Sequence, residues 1–430
     1  MIGMKAMDGQ CQVCDSNLQS VLSLGYLPPP NDMRPIGVDA KQQVWMPTEL
    51  MVCHACSLVQ LAYTGPQEVV FPAYYPYTSG VTKNLRDNFA DLYREMCERR
   101  ILHLGTATQP VDMVIDIGSN DGTLLSNFAS TNMILGVEPT DIAKIANARG
   151  IPTRQAFFNT EVARQINSMY PGIRKHVTCA NCFAHMDNVG DIMSGILELI
   201  GNDGASGVFV SESHYLMSLL SDLQYDTIYH EHLRYYSITS ISNLLRRYGL
   251  EVFHVKRIPT HGGSIRVYAS RPGLFPITYN DGDIQEPTGQ ALVDRLRAFA
   301  DDVSLSKYKL MSEVFKHKIV GHKVAGISAP SRAATVINYC RLELDYIAEL
   351  PGSLKMGKYM PGTDIPVVDE SILFGPKQPE AAILFSWHIM EDVVPKLREK
   401  GFNGEIILPC SRFQRYLDME QFGEMKRFVV

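Results

Sequence analysis

Apolar residues fall at Leu85, Phe89, Leu92, Tyr93 and Met96, a spacing of three and four that predicts a helix from about Thr82 to Arg100. From residue 111 the pattern changes to short apolar runs alternating with amphipathic stretches. VDMVIDIG reads as a buried strand, SNDGTLLSNFA as a turn entering a helix, MILGVEP as a second strand and DIAKIANARG as a second helix. HVTCANCF and SGVFVSES continue the strands, with DIMSGILELI as the helix between them. ITSISNLLRRYG then leads through Gly249 into LEVFHVKRI. Such alternation indicates a doubly wound, largely parallel sheet. After a helical connection over 286–319 the pattern repeats: KVAGISAP, SRAATVINYC, LDYIAELP, DIPVVDES, AAILFSW, VVPKLREKG and GEIILPC describe a second α/β region. Before residue 70 no helical period shows. Short apolar runs such as LMVC and SLVQLAY sit among Pro, Gly and Cys, which predicts a small irregular domain.

Length and composition narrow this picture little. The chain has 430 residues, 45% hydrophobic and 20% charged, ordinary for globular proteins and long enough for two or three domains. A net charge of −6 gives no reason to expect nucleic acid or an acidic membrane as partner. No apolar run reaches spanning length, and MIGMKAMDGQCQVC lacks the apolar core of a signal peptide. The expectation is a cytoplasmic, reducing location.

The cysteines change it more. Four of the nine form two Cys-x-x-Cys pairs, Cys11/Cys14 and Cys53/Cys56, separated by 38 residues. In a reducing compartment this spacing reads as a metal site, and four thiolates close a tetrahedral zinc shell. A closed shell is structural, and it would stabilise a region poor in apolar residues. His54, inside the second pair, reads as a bystander. Cys179 and Cys182 have no second pair and read as packing.

VIDIGSNDGTLL brings a strand ending in Asp116 through Gly118 to Asn120-Asp121-Gly122, and MILGVEP ends the next strand in Glu138-Pro139. Small residues at a strand's carboxyl end let a ligand approach the backbone, and Glu138 is placed to accept from ribose hydroxyls. The phosphate-loop ending and the three-glycine dinucleotide fingerprint are both missing. These features resemble the S-adenosylmethionine-dependent methyltransferases. The resemblance implies that Asp116, Gly118, Asn120, Asp121, Glu138 and Pro139 hold the cofactor. Asn181, Phe183 and His185 of HVTCANCFAHMDN would then line the edge near the adenine and methyl group.

YDTIYHEHLRYYS, at 225–237, gathers two histidines, a glutamate and four tyrosines. His230 and His232 are two apart, not the four that a helical metal motif needs, and on an extended segment they would point to opposite sides. An imidazole general base suits neutral pH, with Glu231 and Tyr229 to orient it. A hydrogen-bonded polar loop is the other reading of these residues alone.

YDTIYHEH, together with THGGSIRVYAS at 260–270, resembles the nucleotide-sugar C-methyltransferases that act on 4-keto-deoxysugars. The likeness extends over nearly the whole chain, through the cysteine pairs, YPYTSG (75–80), ANCFAH, NYC (338–340), GKYMPGTDIP (357–366) and ILFSWH (383–388). It implies an α/β protein of three parts: a zinc-binding domain over 1–70, a Rossmann-like S-adenosylmethionine domain over 71–274, and a C-terminal α/β nucleotide-sugar domain over 275–430. It further implies that His232 removes the proton α to the sugar ketone, with Tyr229, Glu231, His185 and Tyr77 around the reacting carbon. His261, Gly262 and Gly263 would face the substrate, and Ser331, Lys358 and Tyr359 are assigned to it by position. Two departures stand out: Ser213-His214 after the strand glutamate, and GISAPSR (326–332) in place of a more glycine-rich turn.

The expected reaction is methyl transfer to carbon, at C3 of a nucleotide-linked 4-keto-6-deoxy sugar, by a monomer carrying S-adenosylmethionine and structural zinc. An O-methyltransferase, or a zinc-stabilised nucleotide- or protein-binding module, would share parts of this pattern.

Overall fold

The computed structural model describes residues 5–6, 9–39, 43–71, 78–105, 112–201, 207–279, 285–410 and 415–416. They form two compact units that are not contiguous in sequence. One comprises 1–19, 51–218 and 233–293; the other comprises 20–50, 219–232 and 294–430.

The Cys-rich region is not irregular. Strands β1 (Leu18–Leu27) and β2 (Met46–Cys53) run through it, and the chain passes from one unit to the other within each. Along β2 the buried positions alternate through Met46, Thr48, Leu50 and Val52. Thr48 interrupts the apolar alternation, so the strand period is hidden in the letters. β3 (Val59–Leu61) follows.

The first unit is built on a seven-stranded sheet. In chain order its elements are α1 (Lys83–Glu98), β4 (Asp112–Ile117), β5 (Met133–Glu138), α2 (Ile142–Ala148), β6 (Thr153–Gln155), α3 (Thr160–Met169), β7 (Arg174–Ala180), α4 (Val189–Ile200) and β8 (Phe209–His214). Then come β9 (Arg234–Tyr235), which pairs with β3, α5 (Ile238–Arg247), β10 (Glu251–Ile258) and β11 (Ser264–Ser270). Strand order is β10-β11-β8-β7-β4-β5-β6, parallel from β8 to β6, with β11 antiparallel to both β8 and β10. Every residue of β4 is buried, as a central strand covered on both faces requires. Local signals set the helices. Asn188 accepts from Asp191 N to cap α4, and Ser237 and Ser240 form a reciprocal cap on α5.

One expected helix is replaced by a turn. Within GTLLSNFA only a single 3-10 turn forms, Leu125–Asn127. Asn127 Nδ2 donates to the carbonyls of Thr123 (3.1 Å) and Leu124 (3.0 Å), groups that a continuing α-helix would use. Leu124, Leu125 and Phe128 still reach the core, which is why the stretch reads as helical.

The second unit contains most of α6 (Gly289–Lys318), then β12 (Val324–Ile327), α7 (Ser331–Tyr339), β13 (Ile347–Glu349), β14 (Val367–Asp369), β15 (Ala381–Leu384), α8 (Met390–Glu399), β16 (Glu405–Ile407) and β17 (Arg415–Tyr416). Its sheet order is β14-β13-β12-β15-β16-β17, parallel except for β17. The order reverses between β12 and β15, the point where open α/β sheets form a crevice. There Ser328 and Ser386, just past the two strand ends, have their Oγ atoms 3.0 Å apart. Among the described residues no helix is long and apolar enough to cross a membrane.

Candidate active site

The four paired cysteines converge within the first unit. Their Sγ atoms all lie within 4.8 Å of one another, with Cys11 to Cys56 at 3.5 Å and Cys14 to Cys53 at 3.4 Å. Four thiols this close resist joint ionisation: the contact with Cys56 pulls Cys11 down to about 5, while burial pushes Cys53 up to about 11. A dication removes that conflict, and the spacing suits sulfurs about 2.3 Å from a central zinc. His54 is apart from the cluster, exposed and bonded to Gln19.

The residues expected to hold the cofactor gather at the carboxyl edge of the first sheet, where the order reverses between β4 and β7. Gly118 adopts φ +71°, and a Cβ there would meet Cys182 Sγ at 2.4 Å, so only glycine fits. Asn120 (φ +50°) donates its N–H to Glu138 Oε2 at 3.0 Å, and Thr140 N and Oγ1 donate to Oε1. Asp121 accepts from Ser79 Oγ (2.9 Å), Gly80 N (3.2 Å) and Arg149 (2.9 Å), tying the segment before α1 to the turn. Pro139 continues from Glu138 at the end of β5. Burial, with the charges of Glu212 and Glu138 added to it, pushes the Asp116 carboxyl up to about 7. Burial raises Glu138 as well. Buried carboxyls that repel each other in this way favour a cationic ligand.

Asn181 (φ +56°) ends β7 and donates its N–H to the Glu212 carbonyl, so it lies on the same edge. Phe183 faces the core, packed on Phe209 and Tyr236 at 5.4 and 5.7 Å between ring centroids. His185 stacks on Phe71 at 6.0 Å, and burial lowers its pKa to about 4, so it is neutral at pH 7. The turn at His261, Gly262 and Gly263 has positive φ at all three residues and sits beside the end of β8, where Ser264 pairs with His214. A Cβ on Gly263 would meet Ser218 Oγ at 2.5 Å. Tyr77 lies outside the described residues.

The histidine motif belongs to the second unit. It is a turn, not an extended segment: His232 N donates to Tyr229 O at 2.9 Å, which corrects the expectation of side chains alternating about a strand. His230 is buried; its Nε2 lies 3.0 Å from Thr48 Oγ1 and 3.2 Å from Met46 O. Burial lowers its pKa to about 4. His232 is half-buried, with Nδ1 2.7 Å from the Thr227 carbonyl and its ring 4.1 Å from that of Tyr229. A carbonyl only accepts, so Nδ1 carries the proton and Nε2 is the basic nitrogen. Glu231 is buried and accepts from Asn31 Nδ2 at 2.6 Å, while Asn31 Oδ1 accepts from Ser331 Oγ at 3.1 Å. This chain of contacts joins the histidine turn to the start of α7, beside the crevice of the second sheet.

Three family models match the chain: "Putative zinc binding domain" over residues 11–71, "Methyltransferase domain" over 89–255 and "C-methyltransferase C-terminal domain" over 259–410. The C-methyltransferase NovU of Streptomyces niveus is 28% identical over 409 residues, covering 92% of this chain and 93% of that protein. The chain is a S-adenosylmethionine-dependent C-methyltransferase. Its four-cysteine cluster is the zinc site of the first of these domains. Among solved structures, the magnesium protoporphyrin IX methyltransferase of Synechocystis PCC 6803 with bound S-adenosylmethionine is 12% identical, covering 43% of this chain and 79% of its own, at a TM-score of 0.31. A Mesorhizobium loti methyltransferase covers 43% of this chain and all of its own at 12% identity, with a TM-score of 0.31.

In the second unit of the methyltransferase, Lys358 and Tyr359 lie on the strand-like bridges to Pro35 and Pro366, and Arg34 stacks over the Tyr359 ring at 4.5 Å. Burial lowers the Lys358 pKa. Several neighbours carry no local sequence signal. Lys355 Nζ donates to Ala329 O at 2.7 Å; burial lowers its pKa, against the pull of Glu349 and Glu231. Buried Asp226 accepts from Trp387 Nε1 at 2.7 Å and lies 3.5 Å from Arg332. A lone lysine in PGSLKMGK reads as a solvated loop residue, and nothing local tells that it returns to a strand end. Asp226 and Trp387 lie in YDTIYHEH and ILFSWH, 161 residues apart, and only the fold pairs the acid with the indole.

Proposed function

We propose that the enzyme methylates C3, the carbon α to the ketone, of a nucleotide-linked 4-keto-6-deoxy sugar, with His232 as the base. The hydrogen bond from His232 Nδ1 to the Thr227 carbonyl supports this most directly, because it leaves Nε2 basic. In this reading Nε2 takes the α proton, and the C–H electrons delocalise onto the ketone oxygen as an enolate. The neutral imidazole of His185 is a hydrogen-bond donor for that oxygen, and Tyr229 holds the His232 ring by packing. S-adenosylmethionine, when bound, supplies a methyl activated by its sulfonium. That group would supply the methyl to the enolate carbon and would itself be left as a neutral thioether. Glu231, through Asn31, sets the turn relative to Ser331. Lys355, Lys358 and Arg332 supply positive charge on the side of the second unit where a diphosphate is to be held.

The test is exchange in deuterium oxide, with a nucleotide-linked 4-keto-6-deoxy sugar and S-adenosylhomocysteine present. The native enzyme should exchange the α proton. His232→Asn should lose that exchange and about a hundred- to ten-thousand-fold of turnover while binding cofactor normally. Turnover of His232→Asn within tenfold of native would remove the base assignment. Methylated product without any exchange would favour transfer to oxygen.

A further inference from the structure

Helix α6 buries one face regularly, through Leu296, Phe299, Val303, Ser306, Leu310 and Val314. A helix covering a core in this way ordinarily shows a polar face to water. Its opposite face instead carries Leu305, Tyr308 and Phe315, continued by Ile319 just past the last helical residue, where Ile319 N still donates to Phe315 O; they are 52, 67, 64 and 64% exposed. With exposed Asp301 and Ser312 these positions step by four, three, four, three and four, the seam of a helix pair. Isolated surface apolar residues are ordinary, but a continuous aligned seam is not.

We propose that this seam pairs antiparallel with the same helix of a second copy of the chain. The spacing is self-complementary about Ser312: Leu305 and Ile319 are seven residues to either side, with Tyr308 and Phe315 between them. A two-fold axis at Ser312 therefore brings Leu305 against Ile319 of the other copy and interleaves the aromatic pair. The charges along the helix agree with that direction. Exposed Asp301 and Asp302 stand on one side of Ser312, and Lys316 and Lys318 of the last turn on the other, so antiparallel pairing brings the acidic side toward the basic one. Lys309 comes opposite the Glu313–Lys316 ion pair, where a carboxylate is available. A parallel pair would stack the acidic ends on each other.

The seam from Asp301 to Ile319 spans about 27 Å, at 1.5 Å per residue, on a helix about 10 Å wide. That footprint is well under the roughly 800 Å² per partner of a standard stable interface. The dimer is therefore reversible and forms with rising concentration.

Sedimentation velocity of the full chain, over a series reaching hundreds of micromolar, should show a monomer–dimer shift that Phe315→Glu abolishes without changing methyl transfer. Ser312→Cys tests the register, because only a residue on the axis meets its own copy. Under mild oxidation it should give a covalent dimer. Ser304→Cys, about 24 Å from its counterpart in this register, should give none beyond the native background. A native chain that stays monomeric throughout the series overturns the proposal. So does dimerisation unaffected by Phe315→Glu, or equal cross-linking of the two cysteine variants. Vesicle binding by a strictly monomeric chain would assign the seam to a membrane surface and also refute pairing.

Discussion

Arg266→Met removes the cation at the centre of the first unit. Arg266 is fully buried and donates to Glu212 Oε1 (2.6 Å), Asp91 Oδ2 (3.0 Å), Glu95 Oε2 (2.8 Å) and both oxygens of Asn88. Three of these partners lie on α1, so the guanidinium fastens that helix to β11. The segment before α1 in turn holds the Asp121 turn through Ser79 and Gly80. Methionine keeps most of the length but leaves fully buried Glu212 without its countercharge, whereas Glu95 keeps Arg99 and Lys256. Breaking a buried pair from one side costs about 3–5 kcal/mol. At about 2 °C per kcal/mol for a unit of this size, the transition should fall by about 6–10 °C. Differential scanning calorimetry reads this on the transition that S-adenosylhomocysteine raises. The deficit has a sign in pH. Burial already raises Glu212, and losing Arg266 raises it further, so the folded variant binds a proton that the unfolded chain releases. The deficit should therefore grow as pH rises and shrink under acid, and Glu212→Gln added to Arg266→Met should recover part of it. A midpoint within 2 °C of native, roughly 1 kcal/mol, would refute the reasoning.

Three further outcomes follow from the same contacts. Cys53→Ser should lower bound zinc below one per chain by atomic absorption and destabilise the first unit, and a strong chelator should do the same to the native protein. Gly118→Ala places a methyl 2.4 Å from Cys182 Sγ at a positive φ, so calorimetry should show S-adenosylhomocysteine binding at least about tenfold weaker. His185 and His230 are held neutral by burial, with pKa values near 4. Their unfolded forms take up protons near pH 6.5, so the stability they contribute is present above that pH and lost as pH falls toward 4. His230→Gln should flatten this part of the curve in urea titrations at stepped pH; an unchanged slope would remove the assignment.

Several features were decided by local chemistry and could be read from the letters. The three-and-four period of α1 and the self-capped start of α5 satisfy their own backbone within a few residues, and β4 shows as an unbroken apolar run because both its faces are buried. The cysteine spacing carried its metal chemistry because ligand type and count depend little on the surroundings. Features that depend on distant partners were hidden. β2 is masked by Thr48, whose neighbour is His230, 182 residues away. The expected helix after Gly122 fails for a local reason that periodicity does not show, because Asn127 takes up the carbonyls of Thr123 and Leu124. Two imidazoles two positions apart look alike in sequence. Folding makes one a buried neutral anchor and leaves the other half-buried, with its basic nitrogen defined by a carbonyl. That the histidine turn joins the second unit, although its sequence neighbours on both sides belong to the first, was likewise settled only in three dimensions. Hydrogen bonds and burial, unlike periodicity, are properties of pairs that only the folded chain brings together.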